Sequence, residues 1–268
     1  MAVMLSVLCD DLAAETADLV AILAPLEEST WDAPTPAPGW SIRDQVTHLA
    51  YFDEASTLAA TDPDQFREDR EADGGDVDAM VDRVTAAHRD LTGADALAWL
   101  TRARARLIDA VSDLDPRMRV PWYGPDMTLA SSVTSRIMET WAHGQDIADA
   151  VGARRSPTDR LRHVAFLGAR AVPNSYRARG RPVPDAAIRM ELTGPRGDHW
   201  SFGPGDAVNV VSGPALDFCL VVTQRRHAAD TALRAEGPVA VEWLAIAQAF
   251  AGPPGPGRRP GEFAEDRR

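Results

Sequence analysis

Two histidines and one glutamate are the residues of this chain whose types and spacing point most directly to chemistry. Glu139 and His143 are four residues apart in RIMETWAHGQDIADA, so in a helix both side chains leave the same face, one turn apart. His48 lies on a second predicted helix, on an apolar stripe with Leu49 and Phe52. Two imidazoles and one carboxylate on facing helices would form a three-ligand site with an open position, as in catalytic zinc sites.

The Glu-x-x-x-His pair also has a simpler interpretation, because a pair at this spacing is commonly a surface contact. Here the pair lies in a core-like run, flanked by Ile137, Met138 and Ile147. A glutamate buried there without a partner would be costly. A divalent metal is one partner that would offset this cost, so both interpretations stay open.

Four polar residues near these histidines are candidates for orienting them. Each could hold His48 or His143 in the tautomer that binds a metal. They are Asp44, Gln45, Asp146 and Asp149. Asp146, three residues after His143, is the strongest of them and the first candidate catalytic residue, whereas a solvated helix face explains Asp149 equally well.

Two tryptophans and two arginines complete the candidate site. Trp40 and Trp141 could line a substrate cavity, and packing in the core is the alternative for each. Arg225 and Arg226 close an apolar helix and could bind a carboxylate or phosphate in a bidentate manner as catalytic residues. Two cations at the end of a helix also complement its dipole, so this structural role remains open.

Apolar periodicity and capping signals predict the helices that would position these residues. The predicted elements are a helix from Leu5 to Leu26, a second opened by the capping box Ser41-Ile-Arg-Asp44, a third block from Met80 to Leu114 broken near Gly93, and a fourth from Thr128 to Val151. The segment from Asp62 to Asp82 holds nine acidic residues against two arginines and is predicted to be a solvated loop. Four amphipathic helices predict an up-and-down bundle.

The pattern changes after Gly152, where short alternating segments mix with helical runs. AIRMELTG, HWSFG and AVNVVSG predict strands, and PALDFCLVVTQRR and PVAVEWLAIAQAF predict helices. The fold class is therefore α+β overall, with a helical bundle over 1–155 and a small α+β domain over 156–252. Residues 253–268 are rich in Pro, Gly and charge and are predicted to be disordered.

Composition narrows the range of partners and chemistries. The net charge is -12, which argues against nucleic acid or an anionic membrane as a partner. All 28 basic residues are arginine, which excludes Schiff-base and Walker lysines. Cys9 and Cys219 are predicted to be buried free thiols. We expect a cytoplasmic monomer or homodimer that acts on a small molecule.

The strings APGWSIRDQVTHLA and, about ninety residues later, ETWAHGQDIADA resemble the metal-binding domain of mycothiol-dependent maleylpyruvate isomerases, within the DinB-like helical bundles. The resemblance extends over residues 1 to about 152, and the carboxy-terminal region resembles the sterol-carrier-like domain of the isomerase. It implies a divalent ion, usually zinc, held by His48, Glu139 and His143.

The resemblance also implies that this ion binds the sulfur of a low-molecular-weight thiol such as mycothiol. The thiol would then serve in isomerisation of, or transfer to, a small electrophilic substrate in the cleft between the domains. One alternative is a thiol-independent hydrolase, lyase or epimerase, in which the metal activates water or a carbonyl. Another is a non-catalytic ligand-binding protein whose structural metal takes Asp146 as a fourth ligand.

Overall fold

The computed structural model describes residues 4–74, 76–250, 252–255 and 257–263. The chain divides into two compact units, Met1–Arg155 and Ser156–Arg268. The first unit is mainly helical and the second combines helices with a mixed sheet, so the predicted α+β class is confirmed.

Four long helices form a bundle in the first unit, and two shorter helices pack on its side. In chain order the helices are α1 Leu5–Leu23, α2 Ile42–Thr61, α3 Pro63–Ala72, α4 Val77–Ala87, α5 Gly93–Val111 and α6 Leu129–Val151. Helices α1 and α2 both contact α5 and α6, while α3 and α4 pack against α2. A two-stranded hairpin of β1 Arg119–Val120 and β2 Met127–Thr128 precedes α6.

The helix starts follow the capping signals of the sequence. At the start of α2, the Ser41 hydroxyl accepts from Asp44 N at 3.2 Å, and the Asp44 carboxylate accepts from Ser41 N at 2.9 Å. This reciprocal pair satisfies two amides that have no partner within the helix. Thr128 is the N-cap residue of α6, as Ser41 is of α2, and Gly152 ends α6 with a left-handed φ of 66°. The predicted caps of both site-bearing helices are therefore confirmed.

The prediction of a solvated loop for the acidic segment is wrong, because this segment forms α3 and α4. Asp62 and Asp76 cap the two helices, and Pro63 occupies the first turn of α3, where a missing N–H is tolerated. The segment also has an apolar side, since Phe66 and Met80 are each about 2% exposed and pack near Phe52. The prediction rested on the number of acidic residues, whose described side chains are exposed, and did not take the buried apolar residues into account.

A layer of buried charge crosses the middle of the bundle. Asp53 on α2 accepts from Arg104 Nε on α5 at 2.7 Å and from Arg136 Nε on α6 at 2.9 Å, and all three side chains are at most 3% exposed. Arg104 Nη2 also donates to Thr140 at 3.0 Å. Apolar clusters lie on either side, one including Leu12, Leu107 and Ile137, the other including Leu19, Leu100 and Ile147. Arg104 Nη1 also donates to the Thr16 hydroxyl on α1, so this layer links all four long helices.

The second unit contains a four-stranded sheet with helices around it. Its elements are α7 Leu161–Arg170, α8 Val172–Arg177, β3 Ile188–Thr193, β4 His199–Phe202, β5 Asn209–Pro214, α9 Ala215–Val222, β6 Arg234–Glu236 and α10 Pro238–Leu244. The strand order is β4-β3-β5-β6, in which β3 and β5 are parallel and the other pairs antiparallel. The three predicted strands are confirmed, whereas α8 and β6 were not predicted.

Part of the tail predicted to be disordered lies within the described residues and contacts earlier residues of the second unit. Gly261 N donates to both carboxylate oxygens of Asp230 at 2.9 Å, and the Arg226 guanidinium lies 3.9 Å from the centre of the Phe263 ring. Residues 264–268 lie outside the described residues. Disorder of the tail stays a prediction.

Two further expectations concern cysteine and membrane segments. Cys9 and Cys219 are both buried and free, as predicted. Across the described ranges, no helix has the length and apolar character needed to span a bilayer.

Candidate metal centre

Neighbouring helices bring the three candidate ligands together. His48 comes from α2, and Glu139 and His143 come from successive turns of α6. His143 Nε2 lies 3.1 Å from Glu139 Oε2, and His48 Nε2 lies 3.9 Å from the same oxygen. One ligand atom from each residue lies within 4.8 Å of the other two. The predicted cluster is therefore present as a spatial group.

The donor set and its spacing fit a divalent ion. Two imidazole nitrogens and a carboxylate oxygen are zinc ligands, and tetrahedral ligands at about 2.0–2.1 Å from zinc are separated by roughly 3.3 Å. The spacings of 3.1 and 3.9 Å bracket this value. The histidine side chains are 12% exposed and that of Glu139 is 26% exposed, so the cluster is partly accessible to solvent.

Burial and neighbouring charges set the protonation of His48 and Glu139. Burial, followed by positive charge at His143 and Arg136, lowers the pKa of His48 to about 4. Burial alone would raise the pKa of Glu139, but the neighbouring imidazoles of His143 and His48 hold that pKa well below its ordinary value. At neutral pH, His48 is therefore a neutral imidazole and Glu139 a carboxylate, which are the forms that bind metals.

Gln45, one of the four candidate orienting residues, hydrogen-bonds the candidate ligand His143. Its Oε1 contacts His143 Nδ1, and its Nε2 donates to the Thr35 hydroxyl at 2.9 Å. Thr35 in turn donates to the carbonyl oxygen of Trp40 at 2.9 Å. Sequence reasoning missed Thr35, since a threonine in a proline-rich segment carries no signal of this contact.

The other three candidates have different surroundings. Asp44 belongs to the capping box of α2 and pairs with Arg89 at 3.3 Å. Asp149 accepts from Gln145 at 2.8 Å on the outer part of α6. Asp146 is completely buried on α6, and its catalytic role stays a prediction.

Trp40 adjoins both candidate histidines. Its ring stacks on that of His143 at a centroid distance of 5.7 Å and meets that of His48 edge-on at 5.1 Å. This position agrees with the predicted lining role. A tight turn, in which Trp40 N donates to Ala37 O and Thr35 N donates to Trp40 O, holds the ring in place.

Trp141 lies on a different side of α6 from the candidate ligands. Each helical residue turns by about 100°, so Trp141 lies about 200° around the helix from both Glu139 and His143. Its ring is buried against the guanidinium of Arg155, whose Cζ lies 5.6 Å from the ring centre. This position agrees with the alternative interpretation, packing in the core, and the lining role of Trp141 stays a prediction.

Beside His48 lies a wall of aromatic residues that was not predicted. The Phe52 ring lies 4.6 Å from the ring of His48, and the rings of Trp122 and Tyr123 lie 6.0 and 5.6 Å from Phe52. The signal for this wall was the PWYGPD loop before α6, where two adjacent aromatic residues stand among turn-forming residues.

Arg225 and Arg226 lie in the second unit, after the end of α9. Arg225 Nη1 donates to Thr223 O at 2.6 Å, and Arg226 Nη1 donates to Arg225 O at 2.7 Å. Both guanidinium groups thus bind carbonyl oxygens just beyond the helix, which agrees with the capping interpretation. Their role in binding an anionic substrate stays a prediction.

Two protein-family models match the chain. The model described as "Mycothiol maleylpyruvate isomerase N-terminal domain" matches residues 12–148, which includes all three candidate ligands. The model described as "Wyosine base formation" matches residues 184–236, within the second unit.

Curated relatives and solved structures extend this similarity beyond the bundle. Two uncharacterized proteins of Mycobacterium tuberculosis, from strains CDC 1551 and H37Rv, are each 42% identical over 248 residues, covering 92% of this chain and 96% of the relative. The crystal structure of the mycothiol-dependent maleylpyruvate isomerase aligns with a TM-score of 0.58 at 16% identity, and that of a histidine-to-alanine mutant with 0.61 at 18%. Each alignment covers 89% of this chain and 96% of the other. At this identity the structures show a shared fold.

Proposed function

Because the chain belongs to the family of the mycothiol maleylpyruvate isomerase N-terminal domain, we propose that it is a metal-dependent enzyme with a low-molecular-weight thiol as cosubstrate. The thiol is mycothiol or a compound like it. The reaction is isomerisation of a small electrophilic substrate or transfer of the thiol to it. The observation that carries this proposal is the group formed by His48, Glu139 and His143.

The residues of the site have distinct roles in this proposal. His48, Glu139 and His143 hold the ion, which is zinc or another divalent metal. An ion bound there would lower the pKa of a thiol from about 8.5, so that the sulfur is available as a thiolate at neutral pH. Trp40 and Phe52 flank the imidazoles and exclude water from that side of the site.

The cysteines of the chain support an external source of sulfur. Both side chains are buried. Burial is the main cause that raises the pKa of the Cys9 thiol, and it raises the pKa of the Cys219 thiol well above its ordinary value. A protonated, enclosed thiol is a poor nucleophile. A sulfur nucleophile in this enzyme therefore comes from a cosubstrate.

Cobalt substitution tests the proposal, because the visible spectrum of Co²⁺ reports on its ligands. We expect mycothiol to produce a saturable change in the spectrum of the cobalt protein. The matched control is S-methyl mycothiol, which has the same size but no thiol proton, and it should produce no such change. No response to millimolar mycothiol would contradict the proposal.

A thiol-independent metal enzyme is the second candidate, and the partial exposure of Glu139 favours it over a purely structural metal site. An ion on this open cluster could activate water or polarise a carbonyl, as a hydrolase, lyase or epimerase requires. A purely structural metal would need protein ligands at all of its coordination positions. Among the residues that the structure describes, Asp146 does not belong to the group of candidate ligands. A cobalt spectrum that responds to substrate candidates but not to thiol would favour this second candidate.

A further inference from the structure

Gln45 is a completely buried amide that joins the candidate metal centre to the loop carrying Trp40. Buried amide groups are almost always hydrogen-bonded. At one end, Gln45 Nε2 donates to Thr35 Oγ1 at 2.9 Å, and at the other, Oε1 contacts His143 Nδ1.

The Thr35 hydroxyl determines which way this amide faces. Thr35 Oγ1 lies 2.9 Å from the carbonyl oxygen of Trp40, and a carbonyl oxygen can only accept. The single hydroxyl proton of Thr35 must therefore point to Trp40. Its oxygen is then left to accept, so the NH₂ group of Gln45 faces Thr35 and the amide oxygen faces His143.

This orientation determines which nitrogen of His143 carries the proton. Because the amide oxygen of Gln45 can only accept, Nδ1 must be the donor. In the neutral ring the lone pair then belongs to Nε2, the atom that lies 3.1 Å from Glu139 Oε2. Glu139 alone would favour a proton on Nε2, which would block the atom that faces the cluster. Gln45 acts against that preference.

We infer that Thr35 and Gln45 form a hydrogen-bonded relay that positions His143, keeping its proton on Nδ1 and leaving Nε2 open to a divalent metal. The inference rests on the proposed function, since the metal is what Nε2 would bind. The relay is specific to one imidazole. His48 Nδ1 is buried and has no hydrogen-bond partner among the described residues.

The tautomer itself can be measured without any metal. In ¹⁵N-labelled metal-free protein, the imidazole signals of His143 can be assigned by their loss in His143→Ala. We expect Nδ1 to remain protonated when the ring is neutral. In Gln45→Leu, which removes the acceptor, we expect the proton of the neutral ring to move to Nε2.

Metal affinity is the second measurement, and Co²⁺ is the probe. Loss of a group that orients a histidine ligand costs about 10–100-fold in metal affinity, and we expect this loss in Gln45→Leu. Gln45→Glu keeps an oxygen that accepts from Nδ1 and should restore most of the affinity. The matched control is Gln145→Leu, the same substitution on α6 at a side chain that binds Asp149.

Three results would overturn the inference. They are an unchanged tautomer in Gln45→Leu, an affinity loss no larger than in Gln145→Leu, or no rescue by Gln45→Glu. If Gln45→Leu fails to fold, the near-isosteric Thr35→Val replaces it; this variant frees the amide to rotate and should produce both tautomers, and an unaltered Nδ1–H form would overturn the inference. A wild type that binds no metal would refute the proposed function, while the tautomer measurement would still decide the role of Gln45.

Discussion

Asp53 and Arg104 meet in the middle of the helical bundle through hydrogen bonds of 2.7 and 3.2 Å, and both side chains are almost completely buried. Arg136 binds the same carboxylate and also donates to the carbonyl oxygen of Leu49 at 3.1 Å. Leu49 follows His48 directly in the chain. The charged layer therefore holds α2 and α6 together beside the residues that form the candidate metal centre.

Removing Asp53 should destabilise the protein strongly. Asp53→Ala leaves two buried guanidinium groups without their carboxylate, and breaking a buried ion pair in this way costs about 3–5 kcal/mol. Urea unfolding of the metal-free protein, followed by circular dichroism, measures this loss. The matched control is Asp109→Ala on the exposed face of α5, which should change the free energy of unfolding by less than about 0.5 kcal/mol. Equal effects of the two substitutions would contradict a structural role for the layer.

The acidic helices α3 and α4 should depend on their apolar side. Phe66 is 2% exposed and stacks on Trp122 at 5.9 Å, so Phe66→Ala should cost about 3–5 kcal/mol if the helices unfold with the bundle. Amide hydrogen exchange over 63–87 should show protection in the wild type and lose it in the variant. Phe166→Ala, at a 43% exposed phenylalanine, is the control and should leave exchange unchanged. Unprotected amides in the wild type would show that this segment is a loop.

Neither cysteine should react in the folded protein. Because burial raises both thiol pKa values, the reactive thiolate is scarce even at mildly alkaline pH. Ellman's reagent should therefore titrate no thiol in the native protein at pH 8 and two thiols per chain in denaturant. A native thiol that reacts as fast as free cysteine would reopen the possibility that the chain supplies its own nucleophile.

Local signals in the sequence were sufficient for the helices, the caps and the candidate ligands. The capping box at Ser41 and the Glu139–His143 spacing each depend on residues within one turn, so a short window contains the whole pattern. The prediction that His48 lies opposite Glu139 and His143 depended on the apolar stripe of α2. The structure shows that this stripe is buried against α5 and α6.

Contacts between residues that are far apart in the sequence could not be predicted from such short windows. Arg104 pairs with Asp53, 51 residues away, and Thr35 binds Gln45 across a proline-rich loop. One signal for the charged layer was nevertheless present, because Arg104 interrupts the apolar stripe between Leu100 and Leu107. A cation on a buried stripe requires a partner, although the stripe alone does not identify which carboxylate supplies it.

Metal stoichiometry tests the central claim most directly. Metal-free wild type is dialysed to equilibrium against Zn²⁺, and the bound ion per chain is measured by mass spectrometry beside His48→Ala, Glu139→Gln and His143→Ala. We expect one ion per chain in the wild type and substoichiometric zinc in all three variants, each of which should keep the wild-type circular dichroism spectrum. Full zinc occupancy in the variants, or none in the wild type, would contradict the assignment of His48, Glu139 and His143 as the metal site.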